Sequence, residues 1–187
     1  SKAIKERRSI QNYKKEVPDR ERIMKIIEAA TWAPNAGNEQ PWKFIIVTDK
    51  EKRKKIAAIC EQEWMSEAPV HIVVCGQTKT LVDHYGEKGY MYNIQSCAAA
   101  IQNMLLEAHN LGLATCWVGH YDETAITSEL EIKDASLQAI VIVGFAAQTK
   151  EGSRKPLYTS IYFEKWENKE RKTDIFPVEG TLRRILK

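Results

Sequence analysis

Apolar residues recur along this chain at two spacings, and the changes of spacing mark its elements. A short helix is predicted over Ile4 to Arg8. Pro18-Asp19 opens a second helix, in which Ile23, Ile26, Ile27 and Ala30 fall at i, i+3, i+4 and i+7 and share one face. It has to end before Pro34, because the residue ahead of a proline is pushed out of helical geometry. Phe44 to Thr48 is a β-rich run, Asp49 is placed to cap a helix through about Cys60, and Val70 to Cys75 is a further strand. The longest predicted helix runs from about Glu87 to Asn110, free of Gly and Pro after Gly89 and stopped by Gly112. Its second half (Cys97 to Ile101, then Met104, Leu105, Leu106 and Ala108) is apolar over more of its circumference than a one-sided stripe requires. Such a helix has to be covered nearly all round. A partner subunit is the simplest second cover, and a central position within one chain is the alternative. Ala114 to Gly119 reads as extended, and Leu137 to Ala146 as a continuous apolar strand of the kind that lies centrally in a sheet covered on both faces. After Gly152 the chain is basic, then aromatic (Tyr158, Tyr162, Phe163, Trp166), then charged. Helices and strands mix without strict alternation, which predicts an α+β fold.

At 187 residues the chain suits a single domain over 1–187, and 43% apolar content is enough to fill its core. The net charge of +3 is unevenly spread: residues 1–55 hold 15 Lys/Arg against 8 Asp/Glu, so the remainder carries net −4. A basic N-terminal third attracts phosphate or an acidic partner, but no basic–aromatic nucleic-acid module accompanies it, and no nucleic-acid partner is expected. Cys60, Cys75, Cys97 and Cys116 form no C-x-x-C pair, and His71, His84, His109 and His120 show no i, i+3 or i+4 pairing, so no metal site is expected. The longest apolar run is too short for a bilayer span of about 20 residues, and there is no apolar N-terminal signal segment. The expected setting is a reducing cytoplasm, away from membranes.

Four short segments could carry chemistry. Arg7-Arg8-Ser9 offers two planar donor forks and a hydroxyl suited to a phosphate edge; alone, two adjacent arginines are more often a solvated face. Ala33 to Trp42 is bounded by Pro34 and Pro41, carries Gly37, and supplies Asn35, Asn38 and Gln40 as neutral donors and acceptors. It suits a flat heteroaromatic ring, or is an ordinary loop whose asparagines satisfy its own backbone. Gly112 to His120 leads from a helix stop into an extended segment where Gly119 allows a backbone N–H to face a ligand; the alternative is a plain helix–strand turn with Trp117 in the core. Ser153-Arg154-Lys155-Pro156 is a basic stretch after a strand. No G-x-G-x-x-G or P-loop and no G-x-S-x-G nucleophile elbow is present.

Taken together and in this order, these segments resemble the nitroreductase family of flavoproteins. The Arg-Arg-Ser opening, the Ala-Pro-Asn-Ala-Gly-Asn-Glu-Gln-Pro-Trp run, Ala98 to Gly119, and the Arg-Lys-Pro-Leu stretch with its aromatic continuation to Trp166 carry the resemblance over about residues 4–166. It implies a three-layer α+β fold with a central mixed, mainly antiparallel sheet flanked by helices. It further implies a homodimer with swapped terminal segments, residues from about 166 forming an extension or dimer arm, and two FMN sites at the interface. By position, Arg7 would contact the FMN phosphate. Arg8 and Ser9 would hold phosphate, ribityl chain or ring edge, and Arg154 with Lys155 would close over the phosphate. Pro34, Asn35, Ala36 and Asn38 would approach the flavin from the other subunit. Val118, Gly119 and His120 would line the ring. The implied activity passes electrons from NADH or NADPH through FMN to a quinone, nitroaromatic or similar small acceptor by a ping-pong mechanism, with no side chain acting as catalyst. Tyr85, Tyr90 and Tyr92 are candidates for the acceptor face. The alternatives are a non-catalytic FMN-binding module, or a flavin-processing or dehalogenating member. Three departures stand out: the region where larger members offer Asn and Lys to the ring reads Glu61-Gln62-Glu63-Trp64, with Gln62 the candidate substitute; the family's acidic residue at the ring is replaced around Gly119-His120; and the short chain implies a reduced insert around Val82 to Tyr92.

Overall fold

The computed structural model describes residues 2–169 and resolves them into two compact units, residues 1–150 and the chain from residue 151 onward. The single-domain expectation for 1–187 reached into residues 170–187, which lie outside the described residues, as does most of the suggested dimer arm.

The first unit runs α1 (Lys2–Glu6), α2 (Arg20–Thr31), β1 (Trp42–Val47), α3 (Lys50–Ile59), β2 (Val70–Gly76), α4 (Lys79–Tyr85), α5 (Lys88–Asn110), β3 (Ala114–Val118), α6 (Glu123–Glu129) and β4 (Ser136–Gly144). Local chemistry sets several of these boundaries. The carboxylates of Asp19, Asp49 and Asp122 accept from the backbone N–H of Arg22, Lys52 and Ala125 at 2.9, 2.8 and 3.0 Å, capping α2, α3 and α6. Each such cap contributes about 1 kcal/mol. α5 is stopped by Gly112 at φ 73°, a left-handed conformation that favours glycine. α1 ends at Glu6 and not at Arg8 as the pattern suggested, because the chain turns extended there to bring Ser9 beside Thr115. The sequence pattern did not predict α4 or α6.

The strands form one sheet in the order β1-β2-β4-β3, with every neighbouring pair antiparallel. Among the described residues the one parallel contact is the isolated bridge from Ser9 to Thr115. The two central strands are the most apolar and the most completely buried, β2 at every position and β4 from Ala139 onward. Because side chains alternate across a strand, they build two cores. Ile72, Val74, Ala139 and Val141 face α2 and α5, where they meet Ile26, Ala30, Ile101 and Met104. Val73, Ile140 and Ile142 face α3 and α6, meeting Ile56, Met65 and Ile126. The result is helix, sheet and helix in three layers, and each fully buried Ile side chain contributes about 1.5–3 kcal/mol.

The second half of α5 is covered inside one chain, by the sheet on one side and α2 on the other: Ile101, Met104 and Ala108 are 0% exposed. Large exposed apolar side chains on α5 (Tyr90, Met91, Ile94) lie instead in its first half. Trp117 does not enter the core. It is 39% exposed, because β3 buries its other four residues and turns that one outward.

The second unit holds a 3-10 turn at Leu157–Ser160. There Trp166 packs edge-on to Tyr162 at 4.9 Å between centroids, and the Lys169 ammonium lies 4.1 Å from the centre of the Tyr162 ring while donating to the carbonyls of Tyr158 and Ile161. Among the described residues no helix is long and apolar enough to cross a membrane, and no group of three His, Cys, Asp or Glu is placed to hold a metal.

Candidate functional site

The N-terminal segment is drawn onto the sheet edge by backbone hydrogen bonds. Ile10 N–H donates to Thr115 O at 3.0 Å, Lys14 N–H to Phe145 O at 2.9 Å, and Ala147 N–H to Asn12 O at 2.9 Å. This places Arg7 and Arg8 between the start of β3 and the chain leaving β4. They line a cleft of about 360 Å³ together with His109, Thr115 and Lys150. The Arg8 guanidinium is oriented by Nη1, which donates to the carbonyls of Lys5 and Arg7 at 2.6 and 2.8 Å. Its Nε is buried and has no hydrogen-bond partner among the described residues. A buried donor left unmade costs about 1–3 kcal/mol, so this atom favours an acceptor in the cleft. The same positive field reaches Cys116. Burial raises that thiol's pKa, while Lys150, Arg7 and the Ser9 hydroxyl act against the rise. Sequence reasoning missed Lys150 and His109, which come from the end of a strand exit and the last turn of an apolar helix and share no motif with Arg7.

The second segment folds as a tight turn after α2. Gly37, Asn38 and Gln40 adopt φ of 59°, 57° and 50°, a left-handed run that costs roughly 1–2 kcal/mol at each non-glycine. Asn35 largely satisfies the turn itself: its Oδ1 accepts from Gln40 N–H at 2.8 Å and its Nδ2 donates to Ala33 O at 3.3 Å. Ala36 N–H donates to the Ser96 hydroxyl of α5 at 3.4 Å. Pro34, Gly37 and Asn38 are exposed, while Asn35 and Ala36 are half-buried.

At the end of β3, Val118 is buried, whereas Gly119 and His120 are exposed. A Cβ built on Gly119 would meet nothing nearer than the Trp117 indole nitrogen at 3.8 Å, so the backbone there is open to close approach. Arg154 and Lys155 are exposed residues of the second unit, with Arg154 donating to Ser153 O at 2.8 Å. The three tyrosines separate. Tyr85 packs edge-on to Tyr92 at 5.2 Å, with its hydroxyl against Gly37, whereas Tyr90 lines a different cleft of about 390 Å³ with Thr78, Asn93 and Ser136. In the Glu61–Trp64 region, Gln62 accepts from the Trp64 indole at 3.1 Å within its own turn.

The protein's own nucleophiles are muted. Cys60, Cys75, Cys97 and Cys116 are all buried, and burial pushes Cys60 and Cys75 up to about 11 and Cys97 up to about 12. These thiols stay protonated near neutral pH, so they are weak nucleophiles. His71, lowered to about 4 by burial, stays neutral in the core. The arrangement gathers cationic donors in one cleft and presents a turn and an open backbone edge.

Comparison with known proteins gives this geometry a context. Residues 4–145 match the family described as Nitroreductase family. A protein of Methanothermobacter thermautotrophicus, provisionally named an NADH dehydrogenase/NAD(P)H nitroreductase, is 44% identical over 121 residues, covering 64% of this chain. The chain spans only 60% of that relative's length. A crystal structure from Desulfovibrio desulfuricans, provisionally named a nitroreductase and solved in complex with FMN, superposes with TM-score 0.78 at 30% identity, covering 88% of this chain and 96% of that one. An iodotyrosine deiodinase of Thermotoga neapolitana is 28% identical over 130 residues, 59% of this chain and 68% of its own.

Proposed function

The chain belongs to the nitroreductase family, and on that premise we propose that it is an FMN-dependent oxidoreductase. It carries electrons from NADH or NADPH to a small acceptor such as a quinone or a nitroaromatic by a ping-pong mechanism, as a cytoplasmic homodimer with swapped terminal segments. The observation that supports this most directly is the cleft at the sheet edge, which Arg7, Arg8 and Lys150 line together and where the buried Arg8 Nε has no hydrogen-bond partner among the described residues. A phosphate dianion gives up much of its hydration on binding and needs several cationic donors in return; this cleft holds them. Ser9 lies at the same edge, and Arg154 and Lys155 of the second unit are the candidates to close over the phosphate. Pro34, Asn35, Ala36 and Asn38 of a partner subunit would grip the ring, and Val118, Gly119 and His120 would line it. There the open backbone at Gly119 admits a flat group at van der Waals distance. Bound FMN supplies the redox chemistry itself, taking two electrons from a nicotinamide donor and releasing them to the acceptor. The protein's part is to bind, orient and shield, which agrees with its buried, protonated thiols.

The test is the visible spectrum of the purified chain with FMN added, followed by anaerobic titration with NADH and with NADPH. FMN uptake and donor-dependent bleaching are expected. A protein that stays colourless sinks the reading, and uptake without bleaching leaves a binding module. Arg8→Ala should weaken FMN binding about 10- to 100-fold, since a hydrogen bond to a charged group is worth about 1.5–3 kcal/mol; unchanged affinity in a fluorescence titration would remove Arg8 from the site. Likeness to a deiodinase supports a second reading, reductive dehalogenation, for which halide release is the readout.

A further inference from the structure

The turn proposed to grip the ring is held partly by its own hydrogen bonds, with Gln40 N–H donating to Asn35 Oδ1 at 2.8 Å and Glu39 N–H to Ala36 O at 3.1 Å. Three of the four residues from Gly37 to Gln40 are left-handed, and such a run persists only where its surroundings over-determine it. Asn35 and Ser96 supply part of the restraint. Restraint from outside the turn also comes from α4. His84 Nδ1 lies 2.9 Å from Glu39 Oε1, and with a proton on Nδ1 it donates to the carboxylate and joins the helix to the turn. Next to it, the Tyr85 hydroxyl fills the space over Gly37 so closely that an added Cβ would come within 2.6 Å of it. Tyr85 is itself backed edge-on by Tyr92 of α5. α4 is a firm platform for these contacts. Its Leu81 is fully buried, and its backbone at Leu81 sits over Gly89, where a Cβ would lie 2.5 Å from the Leu81 carbonyl. The Glu39 carboxylate is 23% exposed and the His84 ring 56%, so the pair contributes little to global stability; its effect is local.

We infer that His84 and Tyr85 are positioning residues: from outside the site, α4 latches the Gly37–Gln40 turn into the form that receives the flavin. The inference rests on the flavin reading above. It assigns the short α4 segment a role other than acceptor contact, with Tyr85 acting through the turn. A preformed turn binds with less ordering cost than one that has to be ordered at the time of binding.

The test compares wild type with His84→Ala, Glu39→Ala, the double variant and His84→Gln, whose amide can still donate to Glu39. In ligand-free protein, amide exchange at Glu39 and Gln40 should speed up about tenfold in either alanine variant, with exchange in the sheet unchanged. The FMN Kd should rise about three- to tenfold, the double variant should match the singles, and His84→Gln should recover most of the loss, because residues of one contact are not additive. The Tm of the ligand-free protein should shift by no more than about 2 °C, the scale of a surface change. Unchanged exchange, an unchanged Kd, additive losses, or a Kd loss that only follows a falling Tm each overturn the latch. A wild-type chain that takes up no FMN overturns the flavin reading itself, and the titration of wild type alone reveals that failure.

Discussion

Residues 88–98 and 99–110 belong to one uninterrupted helix, and their surroundings differ sharply. In the second stretch Ile101, Met104 and Ala108 are 0% exposed, enclosed by the sheet and α2. In the first, Tyr90, Met91 and Ile94 are 60%, 47% and 58% exposed, while the neighbouring Asn93 is buried. There the Asn93 amide donates to the hydroxyls of Thr78 and Ser136 at 3.1 and 3.2 Å. The lesson is that apolar content alone does not locate the surface left for a partner. The half singled out by its apolar sequence found its cover within the chain, and the exposed apolar side chains that the proposed dimer would cover belong to the other half. Apolar side chains clustered on one exposed face are the more telling sign.

The contrast can be broken by substitution, starting with the largest effect. Met104→Ala opens a cavity where sheet and helices meet and should cost about 2–5 kcal/mol, read as a lower denaturation midpoint with unchanged slope. A cost below about 1 kcal/mol would show that the second half is loosely packed. Asn93→Ala removes a buried amide that donates to the half-buried hydroxyls of Thr78 and Ser136 and should cost about 1–2 kcal/mol; a neutral result would mean that water or Gln138 takes over its hydrogen bonds. Ile94→Ser should change the stability of the single chain by no more than about 0.5 kcal/mol and yet weaken self-association in sedimentation velocity. An Ile94→Ser chain that associates as wild type does would free this face from the proposed interface.

Much of the fold was legible because its signals are local or strongly periodic. The Asp19 and Asp49 caps, the 23-residue span of α5 and the apolar run of β4 each declare themselves within a short window. α4 and α6 did not, since each has seven residues and buries a single apolar side chain, Leu81 and Ile126 respectively; one buried position carries no period. The Asp122 cap was the available hint for α6. Of the candidate site, the Arg7-Arg8 pair and the Pro34–Pro41 turn could be picked out by residue type, whereas the approach of Lys150 and His109 to Arg7 could not.

The sequence by itself determined the class of the fold, the order of its principal elements and the kind of chemistry on offer, because spacing, capping and donor type are properties of neighbouring residues. Tertiary structure decided which face of α5 stayed open, that Trp117 points outward, that Asn35 turns inward to its own backbone, and that α4 meets the Gly37 turn. Those outcomes depend on contacts between residues distant along the chain, such as Glu39 with His84 and Ala36 with Ser96, and no local pattern encodes which distant partner will arrive.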